Sequence, residues 1–323
     1  MRMKLTPLRL AAGMALLFTT SASAQTVSIF QTLDVPGSIA SGAEGTDGNS
    51  IAGYYTDSGN LEHGYVYNSG SFTTIDDPSG VDGTLAFSVS GSNVIGLYFD
   101  SGNVAHGFLY NGSSYTTLDF PGAGNTSADG ISGGNIVGDY HSDTYHGYIY
   151  NGTGYTTFDH PGAATGPDQG SDAVGISGNN IVGDFVDSGN IFHGYFYDGS
   201  AFTTLDDPAT SNFTIAIGVD NANVVGAYED SGSVQHGFYY SNGNFTNFDY
   251  PGSIRTVGEG ISGDLIVGIY TAGDGSKHGF TATVIPEPGI WPCLAGFLAM
   301  GIAGWQRHRN IKKQWLIHQK SGA

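Results

Sequence analysis

The sequence predicts an all-β fold, a six-bladed β-propeller of four-stranded repeats closed by a strand from the N-terminus. Three observations predict it. A His-Gly-aromatic start recurs at His63, His106, His146, His193, His236 and His278, at steps of 43, 40, 47, 43 and 42 residues, a period typical of stacked or circular repeats. Between these histidines lie short apolar stretches broken by strong turn residues. And the repeat that is incomplete at one end of the chain has its missing piece at the other.

The fourth full copy shows the stretches: 173–177, 181–185, 194–197 and 202–206. Gly178-Asn179-Asn180, Asp187-Ser188-Gly189-Asn190 and Asp198-Gly199 separate them, so each repeat reads as an antiparallel meander. The third stretch, Tyr195-Phe196-Tyr197, is apolar without alternation, as expected of a strand covered on both faces by neighbouring sheets. The 52 glycines, 19 tyrosines and 18 phenylalanines suit a turn-rich β protein with a real core.

The fourth stretch of each repeat ends in Asp-x-Pro, with the aspartates at Asp76, Asp119, Asp159, Asp206 and Asp249. A sixth copy, Leu33-Asp34-Val35-Pro36, precedes every His-Gly, while His278-Gly279-Phe280 is followed by no fourth strand. A closed ring needs this split if a strand over 27–34 completes the last sheet. An open β-solenoid, the alternative, has no use for it.

The ends carry different information. Residues 1–24 read as a secretory signal: Arg2, Lys4 and Arg9, an apolar run over 10–18, and Ala22-Ser23-Ala24, with cleavage after Ala24. The repeats occupy 25–285. At 286–309, Pro286-Glu287-Pro288 leads into an apolar stretch of 16 residues, Ile290 to Trp305, and then Arg307 and Arg309. That stretch is short for a spanning helix, and its basic flank favours the cytoplasmic side, which suggests transient membrane insertion. Residues 310–323 form a basic tail. The lone Cys293 excludes an intramolecular disulfide.

The formal charge of −19 is unevenly spread: residues 25–285 hold only Arg255 and Lys277 against 28 acids, a net −26. Such a surface repels nucleic acid and anionic lipid and attracts cations. The acidic turns beginning at Asp57, Asp100, Asp187 and Asp230 are oxygen-rich enough for calcium, and equally ordinary hairpin turns. The six histidines invite a metal reading, but equivalent residues of a ring are dispersed. The simpler expectation is that each bonds the Asp-x-Pro carboxylate of its own blade. For catalysis the non-repeating residues matter: His141, His160, and the carboxylates Asp168 and Asp172 in or beside the longest inter-strand segment. No Gly-x-Ser-x-Gly elbow, zinc motif or phosphate loop occurs.

Gly-Ile-Ser-Gly (130–133, 175–178, 260–263), Ile-Val-Gly (136–138, 181–183, 266–268) and the His-Gly starts together resemble the HAF family of extracellular repeats, over nearly all of 38–284. The three-part C-terminus resembles the PEP-CTERM sorting signal. The first resemblance implies an exported repeat protein with no defined activity. The second implies an exosortase-type processing enzyme as partner and an extracellular matrix rich in exopolysaccharide as destination. The expectation is a non-catalytic structural or binding protein of the cell surface, with exopolysaccharide or surface proteins as partners, exposed tyrosines such as Tyr115, Tyr145 and Tyr155 for stacking on sugars, and no cofactor beyond calcium. The alternative is a secreted polysaccharide hydrolase or lyase on the same scaffold.

Overall fold

The computed structural model describes residues 25–286 except 168 and 211. The signal with Ala24, Glu287, Pro288, Arg307, Arg309, Cys293 and Asp168 lie outside the described residues, and Pro286 closes the last strand. The described residues hold no helix long and apolar enough to cross a membrane.

The strands form six blades. Blade 1 is Ala40–Thr46, Ser50–Thr56, Glu62–Asn68 and Ser71–Ile75. Blade 2 is Thr84–Ser90, Asn93–Phe99, Ala105–Tyr110 and Tyr115–Leu118. In blade 3 the inner strand is split into Asn125–Thr126 and Gly130–Ser132, followed by Asn135–His141, Tyr145–Tyr150 and Tyr155–Thr157. Blade 4 is Gly170–Ser177, Asn180–Val186, Phe192–Tyr197 and Phe202–Leu205. Blade 5 is Thr214–Asp220, Asn223–Glu229, Gln235–Ser241 and Asn244–Phe248. Blade 6 is Ser253–Ser262, Leu265–Ala272 and Lys277–Pro286, and Gln25–Thr32 supplies its outer strand. The closing strand lies two residues earlier than the expected 27–34, leaving Asp34 just past its end. The Leu33 N–H still donates to the Gly279 carbonyl at 2.8 Å. This pairing, with inner strands of blades 6 and 1 in contact, excludes the open solenoid.

The core lies between blades. The aromatic after each His-Gly is fully buried: Tyr65, Phe108, Tyr148, Tyr195, Phe238 and Phe280. Each contributes on the order of 1.5–3 kcal/mol by leaving water. These rings join the neighbouring sheets, as where Ala52 and Ile75 of blade 1 pack with Ala86, Val94 and Phe108 of blade 2.

Around the axis the inner strands come too close for side chains at one repeat position. A Cβ on Gly175 would sit 2.3 Å from the Ile217 carbonyl oxygen, on Gly45 2.5 Å from that of Phe87, and on Gly260 2.8 Å from that of Glu44. This is the first glycine of Gly-Ile-Ser-Gly. In five blades, the inner strand slips register beside this position, as between Ala173 and Gly175, a bulge that turns the intervening side chain toward the axis. At the adjoining turns, Gly91 N–H donates to Asp47, Gly178 N–H to Ser132, Asn221 N–H to Ser177 and Gly263 N–H to Asp220, tying blades side by side.

Replacing Gly175 by Ala should therefore cost roughly 1–3 kcal/mol, seen as a melting temperature lower by several degrees. Gly134→Ala, with open space around its Cβ, should stay within about 0.5 kcal/mol of the parent. Equal melting of the two variants would show that the blades do not approach this closely.

Candidate binding sites on the propeller

Every third strand begins with a histidine held by a carboxylate thirteen residues on. Nδ1 of His63 meets Asp76 at 2.8 Å, His106 meets Asp119 at 3.0 Å, His146 meets Asp159 at 2.9 Å, His193 meets Asp206 at 3.0 Å and His236 meets Asp249 at 2.9 Å. In the closing blade the partner of His278 is Asp34, at 2.8 Å and from the other end of the chain. Each imidazole also stacks on a second-strand ring: Tyr55, Tyr98, Tyr140, Phe185, Tyr228 or Tyr270. The imidazoles are therefore spread one per blade as fixed pins, each worth about 1 kcal/mol at this exposure.

The acidic turns serve the same pins. Asp57 Oδ1 accepts the N–H groups of Gly59 and Leu61, and its Oδ2 faces His63 Nε2 at 3.6 Å. Asp100, Asp187 and Asp230 repeat this, each 3.5 Å from its histidine. The backbone donors hold all four carboxyls below the usual carboxylate range. Burial works against charge on His106 and His236, yet their flanking aspartates outweigh it and raise both imidazoles. In blade 6 a serine stands in, Ser276 Oγ lying 2.7 Å from His278 Nε2. Among the described residues, no three or more His, Cys, Asp or Glu side chains are grouped so as to hold a metal ion.

The residue between Asp and Pro bonds the next blade. Its N–H donates to a hydroxyl on or beside the following inner strand: Val35 to Ser41, Asp77 to Thr84, Phe120 to Thr126, His160 to Ser171, Asp207 to Thr214 and Tyr250 to Thr256. Sequence reasoning missed these hydroxyls, although a Ser or Thr follows each Asp-x-Pro. His160 is thereby explained: it is that middle residue, buried and stacked on Phe185 at 3.8 Å. Its Nδ1 accepts the Gly162 N–H, and burial, with His193 nearby, lowers its pKa. His141 packs edge-on against Tyr145. Asp172 is not a loop acid but lies within blade 4's inner strand. Tyr115 and Tyr155 pack against Tyr110 and Tyr150, leaving Tyr145, 39 % exposed, as the open one of the three.

Two features break the symmetry. The first is axial. Glu44, Asp129 and Glu259 line a cavity of about 180 Å³ on the axis, with Phe87, Val174 and Ile217 at the same repeat position in the other blades. Burial raises Glu44, helped by Glu259, and Asp129, helped by Asp139. Burial takes Glu259 to about 7 against the pull of Arg255 and Lys277. Asp139 is raised to about 6 and Asp184 to about 7, again mainly by burial, and Asp172 is raised as well.

The second is a groove of about 550 Å³ between blades 5 and 6, on the face where the histidine pins begin. It is lined by Arg255, Gln235, Glu229, Ser233 and Thr271, with Val234 and Ile254 as its apolar part. Ile254 is 56 % exposed. Arg255 Nε donates to Gln235 Oε1. The other cation of the domain, Lys277, stands over Tyr54 at 5.9 Å.

No protein-family model matches this chain, and neither does any curated sequence. Solved structures do match. A fucose-specific lectin from Aleuria aurantia is 14% identical, with a TM-score of 0.51, over 80% of this chain and 99% of its own. A variant of that lectin in complex with alpha-methyl-L-fucoside is 13% identical, with a TM-score of 0.50 and the same coverage. A putative TolB from Agrobacterium tumefaciens is 14% identical, with a TM-score of 0.50, over 82% of this chain and 100% of its own. At these identities the likeness is one of fold, and it spans proteins of different names.

Asp139, Asp184 and Glu259, the acids raised by burial, fix the sign of the pH dependence. Unfolded, they ionise near 3.8 and 4.5; folded, they keep their protons to higher pH. Their share of stability is complete below the ordinary carboxylate range and is lost as pH rises toward about 7. The raised His106 and His236 lose theirs in the same direction, above 6.5. The lowered turn aspartates act only below about 4. The melting temperature should be higher at pH 5 than at pH 8, and Asp184→Asn should narrow the difference. A flat profile, or greater stability at pH 8, would contradict the buried acids.

Proposed function

We propose that this chain is a non-catalytic carbohydrate-binding propeller and that it takes a neutral glycan in the Arg255 groove. The observation that carries this reading is the composition of the groove. A guanidinium offers a fork of donors, the Gln235 amide can both donate and accept, and Ser233 and Thr271 offer hydroxyls, a set suited to neighbouring sugar hydroxyls. Exposed Ile254 and Val234 can cover the C–H face of a pyranose. The net −26 around this one arginine disfavours acidic polysaccharides. Structures of like fold named as a fucose-specific lectin, one with alpha-methyl-L-fucoside bound, make fucosides and other neutral sugars the first ligands to try. Export by the N-terminal signal, sorting through Pro286-Glu287-Pro288 by an exosortase-type enzyme, and delivery to a cell surface or extracellular matrix complete the proposal.

Calorimetric titration against a panel of neutral monosaccharides and oligosaccharides tests it. At least one should bind, and Arg255→Ala should weaken it at least tenfold, about 1.4 kcal/mol. Binding that survives Arg255→Ala unchanged would place the site elsewhere. Turnover of any glycan would overturn the non-catalytic reading.

A further inference from the structure

Both walls of the groove between blades 5 and 6 are tied to one imidazole. Ser233, Val234 and Gln235 belong to the turn between the second and third strands of blade 5. Asp230 holds that turn, its Oδ1 accepting the N–H groups of Gly232 at 2.8 Å and Val234 at 3.0 Å. Ile254 and Arg255 belong to the segment that crosses from Asp249 into blade 6. That segment is closed on itself: the Ser253 N–H and hydroxyl donate to the Tyr250 carbonyl, and the Tyr250 N–H donates to Thr256 Oγ1. The Tyr250 ring also stacks on Tyr270 at 3.7 Å. His236 stands between the two walls, with Nδ1 2.9 Å from Asp249 and Nε2 3.5 Å from Asp230.

The two contacts of the ring differ. A carboxylate only accepts hydrogen bonds, so both are satisfied only when both ring nitrogens carry protons. In the neutral ring the proton stays on the closer side, at Nδ1, and the bare Nε2 lone pair then faces the Asp230 carboxylate. Blade 6 supplies the contrast: Ser276 Oγ, which can donate, lies 2.7 Å from His278 Nε2 and suits a neutral ring. Asp230 is held below the usual carboxylate range by the Val234 and Gly232 N–H groups, so it stays charged in mild acid. Burial lowers the His236 imidazole, but Asp249 and Asp230 outweigh it and raise the ring above its ordinary value. From the second strand the Tyr228 ring stacks on it at 5.2 Å, its phenol raised by burial and by Asp207. Glu259 feels Arg255 and is itself raised to about 7, mainly by burial.

We propose that His236 is a positioning residue for this groove, and that its protonation draws the 230–235 turn toward the 249–255 segment, so that the groove holds a glycan more tightly in mild acid than above neutrality. The proposal rests on the glycan reading of the groove. A preorganised site loses less on binding, and an imidazole is the group that switches in this range. The gain is complete below 6.5 and is lost as pH rises through the raised value of the folded ring.

Two titrations of the full chain test it. Without ligand, the backbone amides of Gly232 and Ile254 are followed by NMR from pH 5 to pH 9. Both should move with the His236 ring at one midpoint, and that shared movement should be gone in His236→Gln. Calorimetry then compares alpha-methyl-L-fucoside and the neutral sugar panel at pH 5 and pH 8. Affinity should be roughly threefold to fivefold higher at pH 5. Asp230→Asn keeps an Oδ1 acceptor for the turn and gains an amide that can donate to neutral Nε2, so it should bind at pH 8 as tightly as the parent does at pH 5. His106→Gln, the same pin at another boundary, and Glu259→Gln should both keep the parent's profile. Amides of Gly232 and Ile254 that ignore the ring would overturn the proposal whether or not a sugar binds. Binding that needs Arg255 but is equal at both pH values would overturn it and leave the glycan reading standing, as would a profile unchanged in Asp230→Asn or lost in Glu259→Gln. No binding by any sugar at either pH would remove the glycan reading and the proposal with it.

Discussion

The structure depends on how closely six inner strands crowd one axis. Carbonyl oxygens of one blade stand where a Cβ of the next would be, as Ile217 does for Gly175. That crowding explains why the repeat needs glycine at this position, why the strand bulges beside it, and why the bulged side chain is thrown toward the axis. The axis is therefore lined by one side chain per blade whose identity the packing does not fix. Three of the six have become acidic, and burial raises all three, with Glu259 adding to the rise of Glu44 and Asp139 to that of Asp129, while Arg255 and Lys277 work against it at Glu44 and Glu259.

Away from the axis, blades are joined by bonds that cross from one sheet to the next. The middle residue of each Asp-x-Pro gives its N–H to a hydroxyl near the start of the next inner strand. The aspartate before it turns back to the histidine of its own blade. One tripeptide thus fixes the outer strand within its sheet and the sheet to its neighbour. In the last blade, Asp34 and Val35 do both jobs from the N-terminal end, so ring closure uses the same chemistry as every other joint.

The repeat period, the four-strand meander, the closing strand and the His–Asp partnership were all legible in the sequence, because each recurs at a fixed spacing and repetition marks a shared environment. What did not repeat was hidden. Glu44, Asp129 and Glu259 share a column with Phe87, Val174 and Ile217, and no chemical pattern announces that column until the adjoining glycine is recognised as axial. His160 looked singular only because an imidazole replaces the Phe120 or Tyr250 of other blades. Asp172 looked like a loop acid because the segment before it is the longest. Arg255 stood out by charge, but nothing in the sequence placed it beside Gln235 across a blade boundary.

Function on such a scaffold turns on whether all six blade boundaries act alike or one differs. Exposed apolar residues occur at several boundaries, Leu61 and Val81 among them, but only the one between blades 5 and 6 carries an arginine. The most direct measurement is a map of backbone amide shifts on isotope-labelled protein as a neutral glycan is added. The account predicts shifts confined to 229–235, 254–256 and 271. Six equivalent sets of shifts, one at each blade boundary, would contradict it.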